Sequence, residues 1–163
     1  MPLAQLVLKA EDERFYQHSG IDYMGIARAA LANLTSGGRS QGASTITMQV
    51  ARNFYLSTEK TFTRKIYEIL LALKIERLLR KDQILELYMN QIFLGQRAYG
   101  FAAASQAYFG KQLKDVTIAE AAMLAGLPQN PHYANPVTNL ERATQRPRIV
   151  LARMVATGAI TPD

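Results

Sequence analysis

Apolar residues recur along most of the chain at intervals of three and four, and no run alternates strictly between apolar and polar as a half-buried strand would. The pattern predicts a mainly α fold. A first helix is expected over Leu3 to Gln17, stopping near Ser19 and Gly20 with His18 at its negative end. "YMGIARAALANL", Tyr23 to Leu34, reads as a second helix, closed by the Gly and Ser cluster "TSGGRSQG", which predicts a mobile loop. A third should begin near Ser44 and carry "STITMQVARNFYL". Ser57 and Thr58 offer caps for a long amphipathic helix through "TFTRKIYEILLALKIERLLRK". There Ile66, Ile69, Leu70, Leu73 and Arg77 have the spacing of a core-facing surface. "DQILELYMNQIF" supplies another helix. In "TIAEAAMLAGLP" Thr117 and Glu120 match a capping box, Gly126 falls just past the end, and Pro128 prevents continuation. Gln129 to Asn139, rich in Pro and Asn, should be irregular, and a last helix is expected over Leu140 to Thr157.

Composition narrows the class. With 163 residues, 48% of them hydrophobic, and neither internal repeat nor linker, the chain is expected to form a single domain over residues 1–163. No apolar stretch approaches the roughly 20 residues of a membrane-spanning helix, and the N-terminus has no secretory signal pattern, so a soluble or peripheral chain is expected. The absence of Cys excludes a disulfide framework and a thiolate metal site. Nineteen basic against thirteen acidic residues give a net charge of +6, which favours an anionic partner: phosphate groups, nucleic acid or a membrane surface. Nucleic-acid binders add a recognisable module or cations interleaved with stacking aromatics. The chain has neither, and no nucleic-acid partner is expected.

Three short stretches carry candidate chemistry. In "AEDERFYQHSG" (Ala10 to Gly20), helical geometry with Glu11 at zero puts Phe15 at about +40°, His18 at about −20°, Val7 at about −40° and Leu8 at about +60°. Glu13, about 200° away, faces solvent. A carboxylate on that apolar stripe is partly desolvated, which favours its neutral form and tunes it toward proton transfer. A structural ion pair with a buried Arg or Lys is the competing reading. In "RSQGASTITMQ", Gly42, Ala43, Ser44 and Thr45 stand where the exposed N–H groups of a helix N-terminus attract phosphate or pyrophosphate, although Ser and Thr there also serve as plain caps. Arg52, Lys60, Arg64 and Lys65 bracket the following turn. "RKIYE" then embeds a second acid, Glu68, three and four residues beyond Lys65 and Arg64, either in a binding cluster or in a surface ion-pair lattice. "STEK" (Ser57 to Lys60) fits the SxxK pattern of serine acyltransferases, but neither SxN nor KTG accompanies it, so Ser57 reads as a cap. HExxH is absent and His18 and His132 have no ligand spacing, so no metal site is expected.

Collinear over nearly the whole chain, these segments resemble the peptidoglycan glycosyltransferases of glycosyltransferase family 51. The family's EDxxFxxHxG appears as Glu11, Asp12, Phe15, His18 and Gly20. Its GGSTxTQQ is here "GASTITMQ", with Ala43 for a Gly and Met48 for the first Gln. RKxxE is Arg64, Lys65 and Glu68, and KxxILExYxN is Lys81, Ile84, Leu85, Glu86, Tyr88 and Asn90. An Arg followed by VLxRM is matched by Arg146, Val150, Leu151, Arg153 and Met154, with Pro147 as a departure.

The resemblance implies a lysozyme-like, mainly helical fold that polymerises lipid II at the outer, periplasmic face of the bacterial cytoplasmic membrane. Glu11 would be the general base on the acceptor 4-hydroxyl and Glu68 the second catalytic acid, positioning the donor. Arg52, Lys60, Arg64 and Lys65 would stabilise the departing pyrophosphate, and Asp12, Arg28, Ser44, Thr45 and Gln49 would complete the substrate contacts. Lipid II and the nascent glycan chain would be the partners, and Tyr23 to Leu34 would meet the membrane surface, with Met24, Ile26, Leu31 and Leu34 as contacts if they are not core. A divalent cation, Mg or Mn, assisting pyrophosphate departure is the one cofactor left open. The chain looks like a domain excised from a bifunctional class A penicillin-binding protein, without its anchor and transpeptidase. The rivals are a lytic glycosidase or transglycosylase using Glu11 as acid, which leaves the cations unexplained, and a non-catalytic membrane- or glycan-binding module.

Overall fold

Leu3, Leu6 and Val7, spaced by three and four, are all buried and give α1 (Pro2–Glu11) its inward stripe. In the computed structural model, residues 2–35, 42–55, 61–132, 136–137, 141, 144, 147–148, 151–152 and 155 are described. The chain divides into two compact units, Met1–Glu13 with Met89–Asp163, and Arg14–Tyr88.

In the first unit α1 packs on α7 (Ile118–Gly126). Ala121, Ala122, Leu124 and Ala125 of α7 are buried, and the short alanine side chains allow a close helix approach. The expected capping box is present: Thr117 Oγ1 accepts from the Glu120 N–H and the Glu120 carboxylate accepts from the Thr117 N–H. Gly126, expected just past the end, is the last helical residue, so the helix runs one position further than expected and Leu127 caps it. The α6 helix (Phe101–Phe109) packs on α7 and on a short 3-10 turn at Leu113–Asp115. Gly100 opens α6 at φ +82°, where a side chain would collide with the Asn90 carbonyl.

In the second unit α2 spans Tyr23–Thr35, α3 Ile46–Tyr55 and α4 Phe62–Leu78, and α5 (Lys81–Gln91) contains the residues, Tyr88 and Met89, at which the chain passes from one unit to the other. The core here is built on Phe15, Ile46, Met48, Val50, Ala51, Ala72, Ile84 and Tyr88. Every residue from Thr45 to Ala51 is buried, as a helix covered on all sides requires, and α3 packs on α4. Among the described residues there is no strand, only an isolated bridge between Phe93 and Tyr99, so the fold is mainly α as expected.

Three expectations are corrected. α1 ends at Glu11 rather than Gln17: the Asp12 N–H closes the last turn on the Leu8 carbonyl at 2.9 Å, and Phe15–Gln17 forms a separate 3-10 turn. The α4 stripe faces outward, with Ile66 and Leu70 exposed at 59% and 56%, while the packed face carries Glu68 and Ala72. Thr61 caps α4 by accepting from the Arg64 N–H, so the helix starts one residue beyond it. Ser57, Thr58 and the core of the expected loop, residues 36–41, lie outside the described residues. So do most of the last expected helix and Arg146, Val150, Arg153 and Met154, although Glu141, Thr144, Pro147, Arg148, Leu151, Ala152 and Val155 have helical backbone.

Candidate functional site

Each unit holds one group of the expected site residues. In the first, Glu11 is the terminal residue of α1 and is half-buried, beside buried Val7 and half-buried Leu8 on the same helix. The wheel that also placed Phe15 and His18 on its stripe does not apply, because the helix stops at Glu11. Asp12, only 7% exposed, is the more buried of the two acids. Glu13 is exposed as expected and pairs with Lys9 at 2.7 Å. Glu11 is thus partly withdrawn from solvent at the end of the helix, with a buried acid next to it in the chain.

The second unit gathers Ser44, Lys65 and Glu68. Ser44 precedes α3, whereas Lys65 and Glu68 stand one turn apart on α4. The Lys65 ammonium donates to Ser44 Oγ at 2.9 Å and to Glu68 Oε1 at 2.7 Å. Glu68 is wholly buried, and its Oε2 has no hydrogen-bond partner among the described residues. A buried carboxylate is tolerated only when a cation compensates it, and Lys65 is that cation. Since the Lys65 side chain is 42% exposed, the pair joins a buried acid to a cation that solvent, or a solvated anion, can reach. Arg64 is half-buried one residue earlier, and Arg52 is half-buried in the last turn of α3. Lys60 lies outside the described residues.

Thr45 donates from its hydroxyl to the Gly20 carbonyl at 2.6 Å and accepts from the Met48 N–H at 3.2 Å. It therefore caps α3 and ties down the loop after the 3-10 turn, so this helix start is capped by the chain itself. Gln49 is buried and accepts from the Tyr88 hydroxyl at 3.3 Å. Met48, the departure from the family pattern, is 2% exposed and belongs to the core. Arg28 is exposed on α2. Also on α2, Tyr23, Met24, Ile26, Leu31 and Leu34 are exposed by 72%, 63%, 40%, 65% and 83%, whereas Ala29 on another side is buried. They are surface rather than core. Among the described residues no three His, Asp or Glu side chains stand together as a metal site.

Sequence reasoning assigned no role to a second polar group in this unit. Glu76 Oε1 accepts from Thr47 Oγ1 at 2.5 Å and from Lys81 at 2.7 Å, and Lys81 lies 4.3 Å from the centre of the Phe15 ring. Tyr16 donates to Asp82 at 2.9 Å; desolvation first, then this bond and the aspartate charge, raise its phenol above the ordinary value. Lys81 is the first residue of the KxxILExYxN pattern and Thr47 the second Thr of GGSTxTQQ, which were the signals available, but Glu76 sits at a position where no motif marks it.

A family model described as transglycosylase matches residues 2–155. Over 159 residues the chain is 62% identical to a putative transglycosylase of Cupriavidus necator, an alignment covering 98% of this chain and 68% of that one. It is 60% identical over 159 residues to penicillin-binding protein 1A of Neisseria gonorrhoeae, covering 98% of this chain and 20% of the relative. The chain thus spans about a fifth of the length of the Neisseria proteins it matches. A crystal structure of penicillin-binding protein 1A from Haemophilus influenzae aligns at 36% identity over 72% of this chain and 14% of that one, with a TM-score of 0.48.

Proposed function

The chain belongs to the transglycosylase family, and from that premise we propose that it is a peptidoglycan glycosyltransferase, polymerising lipid II into β-1,4-linked glycan with inversion at the anomeric carbon. The observation that carries this reading is the Lys65 ammonium, held between Ser44 and the buried Glu68 and still open to solvent. A reaction that expels pyrophosphate needs preorganised positive charge at the leaving group more than it needs a nucleophilic side chain. Hydrolysis of a glycan expels no such anion, and the lytic reading leaves Lys65 without a task.

In the proposed step the Glu11 carboxylate takes the proton of the acceptor 4-hydroxyl as that oxygen attacks the donor's anomeric carbon. The bond from this carbon to the pyrophosphate oxygen breaks, and the electron pair leaves with undecaprenyl pyrophosphate. Arg52, Lys60, Arg64 and Lys65 neutralise the growing negative charge, Arg64 as a planar fork and Lys65 as a point charge. Glu68 holds Lys65 in place, and its second oxygen is available to a donor hydroxyl. Asp12, Arg28, Ser44, Thr45 and Gln49 complete the proposed set, Thr45 by capping the start of α3 and Gln49 by its bond to Tyr88. The exposed apolar side of α2 supports contact with the membrane surface where the lipid substrate resides, at the periplasmic face of the cytoplasmic membrane.

The test is incubation of the chain in detergent with labelled lipid II and separation of the products on a gel, beside Glu11→Gln. The parent should yield polymer, and the variant should lose at least about 100-fold in rate with its fold intact. Equal rates would remove Glu11 from the mechanism; binding without polymer from either protein would favour a glycan- or membrane-binding module.

A further inference from the structure

We propose that Glu76 is a positioning residue, fixing the first turn of α3 on α4 so that Ser44 stays on the Lys65 ammonium. The inference rests on the reading of Ser44, Lys65 and Glu68 as the donor-side group. Lys65, Glu68, Ala72 and Glu76 follow one another at three and four positions and form a single ridge of α4. This ridge is polar at both ends. At one end Lys65 holds Ser44; at the other Glu76 holds Thr47, three residues further along the chain.

Between Glu68 and Glu76 the ridge carries only the methyl group of Ala72, and the backbone of Gly20 lies against this stretch of α4. A Cβ at Gly20 would lie 3.1 Å from Glu76 Cγ and 3.3 Å from the Ala72 carbonyl oxygen. The Gly20 carbonyl in turn accepts from Thr45 Oγ1 at 2.6 Å. Glu76 therefore touches the loop that Thr45 ties down, bonds the helix that Thr45 caps, and is anchored by Lys81 at the start of α5. Its side chain is 8% exposed, so these contacts are made out of water, where a charge-assisted bond is strong and a vacated one costly. Ser44 by itself holds this register weakly, because among the described residues its bond to α4 runs through the long, 42% exposed Lys65 side chain.

Three variants test the assignment: Glu76→Gln, Ser44→Ala and the double substitution, each measured for kcat and KM on lipid II, for its melting midpoint, and by crystal structure. Glu76→Gln should lower kcat about tenfold with KM within about twofold, because it misplaces the group that acts at the transition state rather than removing a substrate contact. In its crystal structure Ser44 Oγ should leave hydrogen-bonding range of Lys65 Nζ. The double variant should be no slower than the slower single one, because both break the same contact. Parental kcat in a folded Glu76→Gln protein, losses that multiply in the double variant, or an intact Ser44–Lys65 bond would each overturn the proposal. Should Glu76→Gln fail to fold, Thr47→Val removes the α3 end of the same link without touching Lys81, and the same readouts apply. If the parent itself makes no polymer, the glycosyltransferase reading fails while the crystal structures still decide whether Glu76 sets the Ser44–Lys65 contact.

Discussion

Lys65 and Glu68 differ sharply in environment although they are bonded to each other: the acid is wholly buried and the cation partly open. Removing one partner is therefore unlike removing the other. Lys65→Ala leaves an uncompensated buried carboxylate and should destabilise the protein by about 3 kcal/mol, the lower end of the range for a broken buried pair, because Lys65 is itself part-exposed. Lys65→Ala with Glu68→Leu should recover most of that stability in chemical denaturation but none of the polymerase activity. If the double variant is no more stable than Lys65→Ala, the pair is not the compensated unit described here. The two residues were legible from the sequence because three-residue spacing on a helix guarantees contact. The burial of Glu68 was not, since an amphipathic wheel assigns charged residues to the solvent side, and here the polar ridge is the one packed against α3.

Helix boundaries follow the same logic of local against non-local causes. The capping box of α7 was readable because all its atoms lie within four residues, and it is present as expected. The end of α1 was not, because no Gly or Pro marks it; the turn closes on Asp12 and the chain leaves as a 3-10 segment. At α7, Glu120 combines the cap with a contact to Lys111 at 2.7 Å. The Lys111 bond first, and then the Thr117 N–H, hold its carboxyl below the ordinary range. A folded-state value below the unfolded one means the contribution is present above the unfolded carboxylate's pKa and lost as the pH falls through the folded one. Thr117→Ala should cost about 1 kcal/mol at neutral pH, which is about 2–4 °C in melting midpoint for a chain of this size. Glu120→Gln should flatten the dependence of stability on pH below the ordinary glutamate range. An unchanged acid limb in that variant would place the titration elsewhere.

For the molecule as a whole, a net charge of +6 and an exposed apolar helix side act together. No helix among the described residues is long and apolar enough to cross a membrane. The charge was legible from composition alone. Which face of α2 is covered was not, because three- and four-residue periodicity is the same for a core stripe and for a stripe that meets lipid. On α2 the side chains of Tyr23, Met24, Leu31 and Leu34 fall within a sector of about 100°, and all are more than half exposed. Transferring one leucine of this kind from water into the interfacial region is worth about 1–2 kcal/mol, roughly a tenfold change in partition. Leu31→Glu and Leu34→Glu should therefore each weaken binding to vesicles containing anionic lipid by about tenfold or more while shifting the melting midpoint little, since both side chains are more than half exposed. Raising the salt concentration should weaken the parent further, because the attraction between cations and headgroups is screened within about 8 Å at physiological ionic strength. If the variants bind as the parent does and only salt matters, the attachment is electrostatic and α2 is not its anchor; if salt has no effect and the leucine variants lose binding, the apolar side carries the attachment without help from the charge.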